Sequence, residues 1–313
     1  MAPDRPFLGI MLMLAFCLLA PLGDSFAKLL GETIALGVLV LARFGLQAFV
    51  LFPFLLVRRA SLRLSATLLR WTLLRTGLHI AGIAMMFSAL QFLPLADALA
   101  IAFVMPFLML LLGHFAMGEV VGIHRFTACA VGFVGTLMVI QPNFVQVGYP
   151  ALLPLGVAVA FALFMMVTRK IARDIDPIKL QAISGIQACT FLIPVLLLWP
   201  AARDGLTFDL PTDVWLLLIG LGFIGTLAHL FMTWSLRFAP ASTLAPMQYL
   251  EIPFATFIGW MIFSDLPNGL AAAGICVTVL AGIYIIVRER KLSQASSADP
   301  ATTDPDALAR SHD

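Results

Sequence analysis

Arg43, His79, His229, Gln248 and Glu251 are side chains fit for charge or hydrogen-bond chemistry, yet each stands inside a long apolar stretch of this chain. Hydrocarbon offers no water to a carboxylate or a guanidinium. Such groups persist there only where they face protein or a wet cavity. Glu251 lies in the run PASTLAPMQYLEIPFATFIGWMIFSD, residues 240–265, with Gln248 one helical turn away and Pro246 and Pro253 beside them. At that depth an ionised carboxylate is costly unless a cation or hydrogen-bond donors compensate it, so Glu251 suits proton or substrate handling. Arg43 stands about nine residues, or roughly 14 Å at 1.5 Å per residue, inside the second apolar stretch. It fits either a binding role or a structural ion pair, and Glu251 is one conceivable partner. His79 and His229 occupy similar places in the third and eighth apolar stretches. A histidine there can relay protons or be satisfied by a carbonyl. These five residues form the candidate substrate-binding set. Asp24 and Lys28, one turn apart near the end of the first stretch, read as solvated or structurally paired at the outer boundary.

The Glu251 stretch has an earlier copy, PLADALAIAFVMPFLMLLLGHFAMGE, residues 94–119. Phe92, Pro94 and Glu119 recur in the same spacing as Phe238, Pro240 and Asp265, and each copy carries a mid-span proline, Pro106 or Pro253. Paired, proline-interrupted spans in matching positions of two halves are the sequence signature of a binding site built from broken helices. The repeat reaches further. Gly45-Leu46-Gln47-Ala48 returns as Gly185-Ile186-Gln187-Ala188, and Ala128, Gly132 and Thr136 share a register with Gly274, Thr278 and Gly282. Small residues every fourth position let helix backbones approach closely, so spans five and ten read as packing elements.

The elements that must carry these residues follow from composition. The chain is 61% hydrophobic and 12% charged, against about a quarter charged in soluble domains. A soluble fold would leave one enormous core with almost no polar surface. With 313 residues and about 20 residues per crossing, about ten spans fit. The expected fold is an all-α membrane protein of ten transmembrane helices, arranged as two inverted five-helix repeats at residues 7–142 and 149–290. An odd number of crossings per repeat makes the copies enter the membrane in opposite directions. Residues 292–313 read as a disordered cytoplasmic tail. The first span, long and followed by no small-residue cleavage site, reads as a retained helix rather than a signal peptide. Cys17, Cys129, Cys189 and Cys276 stand singly, without metal or disulfide spacing, and no cofactor is expected. The net charge of +2 comes from basic residues in short loops and indicates no nucleic-acid partner.

The pattern of Pro94, Pro106, Glu119 and Gly132, repeated as Pro240, Pro253, Asp265 and Gly274, resembles the EamA group of the drug/metabolite transporter superfamily, and Leu41-Ala42-Arg43-Phe44 fits it as well. The resemblance covers about residues 7 to 290 and is specific for the superfamily rather than for a substrate. It implies an inner-membrane secondary transporter of a small organic metabolite, of the amino acid, S-adenosylmethionine or riboflavin class. It further implies alternating access and a central cavity lined by spans one, three, four, six, eight and nine. Proton coupling and a homodimer are left open. Two other classes remain on the table. A sensor or structural membrane protein would carry an output domain or a partner-binding extension. An intramembrane enzyme would need a recognisable constellation, and the chain has no H-E-x-x-H, G-x-S-x-G or P-loop.

Loop charge orients the chain. With the N-terminus cytoplasmic, Arg58, Arg59, Arg63, Arg70, Arg75, Arg169, Lys170 and Arg288 fall at or near the cytoplasmic side, while Lys28 and Arg203 fall outside. Both termini are then cytoplasmic. Cysteines introduced as Ser61→Cys and Ser293→Cys should therefore be shielded from impermeant thiol reagents in intact cells, and Thr207→Cys should react. Labelling of Ser61→Cys from outside would reverse the orientation.

Overall fold

The structure is a computed structural model that describes residues 5–59, 63–93, 95–119, 121–140, 149–199, 210–263 and 268–298. Pro94, Asp265, positions 141–143, Ser61, Arg203, Thr207 and the chain beyond residue 298 lie outside the described residues.

Long apolar runs bounded by turn residues fold as helices whose ends are capped where the chain leaves the apolar zone. The first half comprises α1 (Pro6–Leu30), α2 (Leu36–Val57), α3 (Ala66–Leu90), α4 (Leu95–Ala102), α5 (Met105–Met117) and α6 (Ile123–Ile140). The second comprises α7 (Leu152–Ile171), α8 (Pro177–Leu198), α9 (Thr212–Phe238), α10 (Ala241–Leu244), a 3-10 segment (Ala245–Leu250), α11 (Glu251–Phe263) and α12 (Gly269–Ala298). Ser65 caps α3 by accepting from the Leu68 amide at 3.2 Å. Asp176 caps α8 by accepting from Ile178 and Lys179, with Pro177 following it at a position where no amide is needed. Among the described residues, seven helices are long and apolar enough to cross a membrane: α1, α2, α3, α7, α8, α9 and the Gly269–Leu292 part of α12. Phe49, Phe115 and Leu198 stay widely exposed, which is costly in water and suited to lipid tails.

The fourth and ninth spans are the exceptions, because both are in pieces, whereas α1, α2 and α8 run on through Pro21, Pro53 and Pro194. In the first, α4 ends at Ala102 and α5 restarts with Pro106 in its first turn. In the second, the 3-10 segment holds Pro246, and α11 starts at Glu251 with Pro253 in its first turn. The first turn is the part of a helix that tolerates proline, since its amides have no intrahelical acceptor. Tyr249 Oη donates to the Phe103 carbonyl at 3.2 Å and ties one break to the other. Glu119 closes the arrangement from the far end of α5. Its carboxylate accepts from the amides of Ala241 and Ser242 at 3.1 and 2.8 Å and so caps α10, whose N-cap, Pro240, contributes no side-chain bond.

The helices pack in pairs: α1 along α9, α3 along α7, α2 along α8 and α6 along α12. Replacing each first-half span by its second-half counterpart leaves this set of pairings unchanged. The sequence places the ordered chain's end near residue 290, but α12 continues to Ala298. The residues after Val287 are good helix formers and the next proline is Pro300, so nothing stops the helix earlier.

The α6–α12 contact is close because of Gly135. A Cβ at that position would lie 2.8 Å from Thr278 Cγ2 and 2.9 Å from the Gly274 carbonyl, which is backbone that cannot swing aside. Gly135→Ala should therefore destabilise the protein by about 1–3 kcal/mol through forced separation of the helices. Gly77→Ala, at a position with nothing within 4 Å, should leave the melting temperature in detergent unchanged. Equal melting of the two variants would remove Gly135 as a packing determinant.

Candidate functional site

Arg43 enters the centre of the bundle from α2 and is 2% exposed. Its Nη1 donates to Gln47 Oε1 at 3.1 Å, one turn further along the same helix. Its Nη2 donates to the Gly225 carbonyl of α9 and stands 2.9 Å from His229 Nδ1. His229 Nδ1 is also 3.0 Å from the Gly225 carbonyl, so this nitrogen lies within hydrogen-bond reach of a donor and an acceptor at once. Nε2 is buried without a hydrogen-bond partner. Gly225 is required at this crossing, because a Cβ there would run into the Arg43 guanidinium.

The polar chain continues away from Arg43. Gln47 Nε2 donates to the Gln181 carbonyl at 2.7 Å, and Gln181 Nε2 donates to the His229 carbonyl at 2.7 Å and to Thr233 Oγ1 at 3.0 Å. At its other end is Arg75 from α3. Sequence reading grouped it with the loop cations, but it is fully buried. Its Nε donates to Thr168 Oγ1 at 2.8 Å, Nη1 to Ser184 Oγ at 2.8 Å and Nη2 to Thr233 Oγ1 at 3.3 Å. The guanidinium lies over the Phe164 ring, 4.5 Å from its centroid. Hydroxyls of α7, α8 and α9 supply what water would supply in a loop. Only the three-dimensional arrangement brings them together.

His79 lies between the two arginines, with ring centroids 4.3 Å from His229, 4.4 Å from Phe164 and 4.9 Å from Phe44. Neither of its ring nitrogens has a hydrogen-bond partner. It stands behind His229 and does not line the central cavity.

That cavity encloses about 90 Å³. Its polar wall is Asp24, Arg43, His229 and Glu251, and its apolar wall includes Phe16, Phe87, Phe103 and Phe161. Glu251 reaches it because the broken ninth span turns the start of α11 inward. The residue is 6% exposed and, among the described residues, its carboxylate has no hydrogen bond or ion pair. The charges of Asp24 and Glu251 act on each other across this space, and Asp24 also lies in the field of Arg43. No ion pair joins Arg43 to Glu251 among the described residues. Of the five sequence candidates, Arg43, His229 and Glu251 meet at the cavity. Gln248 is packed behind it, its amide nitrogen directed at Met109 Sδ at 2.7 Å and Met165 Sδ at 3.6 Å.

Asp24 corrects the expectation of a boundary residue. It shares one face of α1 with Phe16, Ala20 and Gly23, all of which line the cavity. That helical spacing is visible in the sequence and was the available signal. Lys28 does not pair with it. Lys28 Nζ lies instead over the Phe263 ring at 5.0 Å.

A bundle with two broken spans meeting at a charged central cavity is the architecture of a membrane carrier. A profile of the EamA-like transporter family matches residues 7–141 and 149–288. The chain belongs to this family and is a multi-pass membrane transporter, not an enzyme. It is similar to a riboflavin transporter of Vibrio cholerae, 26% identical over 255 residues, covering 81% of this chain and 84% of that protein. It is also similar to an S-adenosylmethionine uptake transporter of Rickettsia felis, at 25% identity over 269 residues and 86% and 88% coverage. A pseudopaline exporter of Pseudomonas aeruginosa is 26% identical over 238 residues, with 75% and 81% coverage. One solved crystal structure superposes with a TM-score of 0.68 at 20% identity, covering 88% of this chain and 94% of the other, and shares the fold.

Arg43 and Glu251 should separate by their effect on stability. Arg43→Met strands the Gly225 carbonyl, Gln47 and His229, and should cost about 3 kcal/mol. Glu251→Gln breaks no bond and should melt with the parent protein in detergent. A Glu251→Gln variant as unstable as Arg43→Met, restored by combining it with Arg43→Gln, would mean that the two residues pair.

Proposed function

We propose that this chain is an inner-membrane secondary carrier of a small organic metabolite and works by alternating access with Glu251 as the principal ionisable residue of the cavity. The observation that carries the reading is a buried carboxylate with no hydrogen bond or ion pair among the described residues, at the start of a half-helix, facing the central cavity. An ionised group so placed needs a compensating proton or ligand charge. Exchange of one for the other is the elementary step of a coupled carrier. Asp24 and Cys17 of α1, Arg43 of α2 and His229 of α9 are the other titratable groups around it.

The halves then act as two inverted repeats, a reading supported by the pairings of α1 with α9 and α3 with α7. Rocking of one repeat against the other would open the cavity to each side in turn. At about 90 Å³ it is smaller than the ~300–1,000 Å³ of ordinary small-molecule sites, so admission of a metabolite requires that movement. The loop charges support cytoplasmic termini. The similar proteins named for riboflavin, S-adenosylmethionine and pseudopaline support a substrate of metabolite size, and the first two define the panel to try first.

Purified protein in proteoliposomes should accumulate one member of such a panel against its gradient when a proton gradient is imposed. Glu251→Gln should insert and melt normally yet lose concentrative transport and its dependence on pH. Undiminished accumulation by Glu251→Gln would end the assignment of Glu251.

A further inference from the structure

The carrier reading leaves the kind of ligand open, and the charges around the cavity narrow it. Two carboxylates, Asp24 and Glu251, line the same enclosed space and interact electrostatically. The single guanidinium on that wall, Arg43, is directed at neutral acceptors on Gln47, Gly225 and His229 and is in ion-pair contact with neither. His229 shares its Nδ1 between that guanidinium and the Gly225 carbonyl and is counted as a neutral imidazole. Glu251 is buried to all but 6% and lines the cavity, and its carboxylate has no hydrogen bond or ion pair among the described residues. With both carboxylates ionised, the wall carries a net charge of minus one and has a carboxylate pair short of donors. The same lining includes four aromatic side chains, Phe16, Phe87, Phe103 and Phe161, and aromatic rings attract cations. Carboxylates and rings around one space meet the needs of a positively charged organic group, whereas an anion would meet repulsion from the carboxylates.

We infer that Asp24 and Glu251 together form the recognition site for the cationic group of the transported molecule, an ammonium or other onium centre on an apolar or aromatic body. The inference rests on the carrier reading and adds to it a second carboxylate and a ligand class. Asp24 holds the substrate charge from α1 while Glu251 holds it from α11, so one ligand bridges a continuous span and a broken one. Arg43 is a positioning residue. It fixes His229 and the α2–α9 crossing, and its field limits the wall to one unmatched negative charge.

The test compares probes of similar shape and different charge on the full-length protein in detergent at neutral pH. Phenethylamine, benzyltrimethylammonium and tetraethylammonium supply the cation. Phenethyl alcohol is the neutral counterpart and 3-phenylpropanoate the anionic one. Binding is read by thermal shift and calorimetry. At least one cation should bind about tenfold or more tightly than phenethyl alcohol, a difference of about 1.4 kcal/mol. 3-Phenylpropanoate should be the weakest. Asp24→Asn and Glu251→Gln should each remove most of the cation's advantage while leaving the affinity for phenethyl alcohol unchanged. The conservative Asp24→Glu should restore part of it, which a merely structural Asp24 would not do. Equal binding of cations and phenethyl alcohol, preference for the anion, or full cation preference in Asp24→Asn would each overturn the proposal. The carrier reading is judged separately, by metabolite flux in proteoliposomes. Flux without cation preference defeats only this inference, and absence of flux with cation preference intact defeats only the carrier reading.

Discussion

The contact between the Arg43 guanidinium and the bare backbone of Gly225 sets the rest of the site. A charge in the middle of a helical bundle is retained only if its surroundings replace its hydration. Here the replacement is a carbonyl of α9, an amide oxygen of α2 and a ring nitrogen of His229. The carbonyl is reachable because position 225 has no side chain. Once Arg43 is fixed, the His229 ring is held beside it, and the Gln47–Gln181–Thr233 chain fills the space behind it. Because these partners are all neutral, the two cavity carboxylates remain unmatched.

The scaffold makes that possible by being rigid where it is symmetric. Pairs α6–α12 and α2–α8 each join equivalent spans of the two halves, and glycines keep them close: Gly135 against Gly274 and Thr278, Gly185 against the backbone of Ala48. Between these pairs stand the broken spans, linked by the bond from Tyr249 to Phe103 and capped by Glu119. Backbone freed at a helix break cannot be left to lipid. Each break therefore faces inward, and that requirement is what places the start of α11 and its glutamate at the cavity.

Much of this arrangement is legible in the sequence. Hydropathy marks the spans and the matched prolines of the two copies point to the interrupted ones, although a proline alone is not enough, since Pro21, Pro53 and Pro194 lie inside unbroken helices. The GxQA repeat marks two glutamines that do bond between helices, Gln47 to Gln181 and Gln187 to Thr76 and Thr72. Side-chain environment is less accessible. Arg75 looks like a loop cation because its position along the chain is near a basic segment, and the hydroxyls of Thr168, Ser184 and Thr233 that solvate it are distant in sequence. Asp24 was assigned by depth alone, although the small and aromatic residues on its face of α1 distinguish a cavity wall from a lipid face. His79 and Gln248 stand off the cavity wall. Their polarity and depth suggested a lining role, but neighbouring rings and thioethers enclose them.

Symmetry of the scaffold and asymmetry of the chemistry then belong to one design. Arg43 crosses from span two to span eight, and Arg75 from span three to span seven, so the two guanidiniums occupy equivalent interfaces but are donated from opposite partners. His79 and His229, from matching spans, touch at the centre. Yet His229 is bound to a guanidinium, whereas His79 sees rings alone. Glu251 has Met105 at its matching place, and both line the cavity. A carrier needs two conformations of comparable energy, which equivalent interfaces supply. It needs one binding site rather than two competing ones, which only a difference between the halves can supply. Placing both carboxylates on α1 and α11, with their counterparts apolar or elsewhere, meets both requirements.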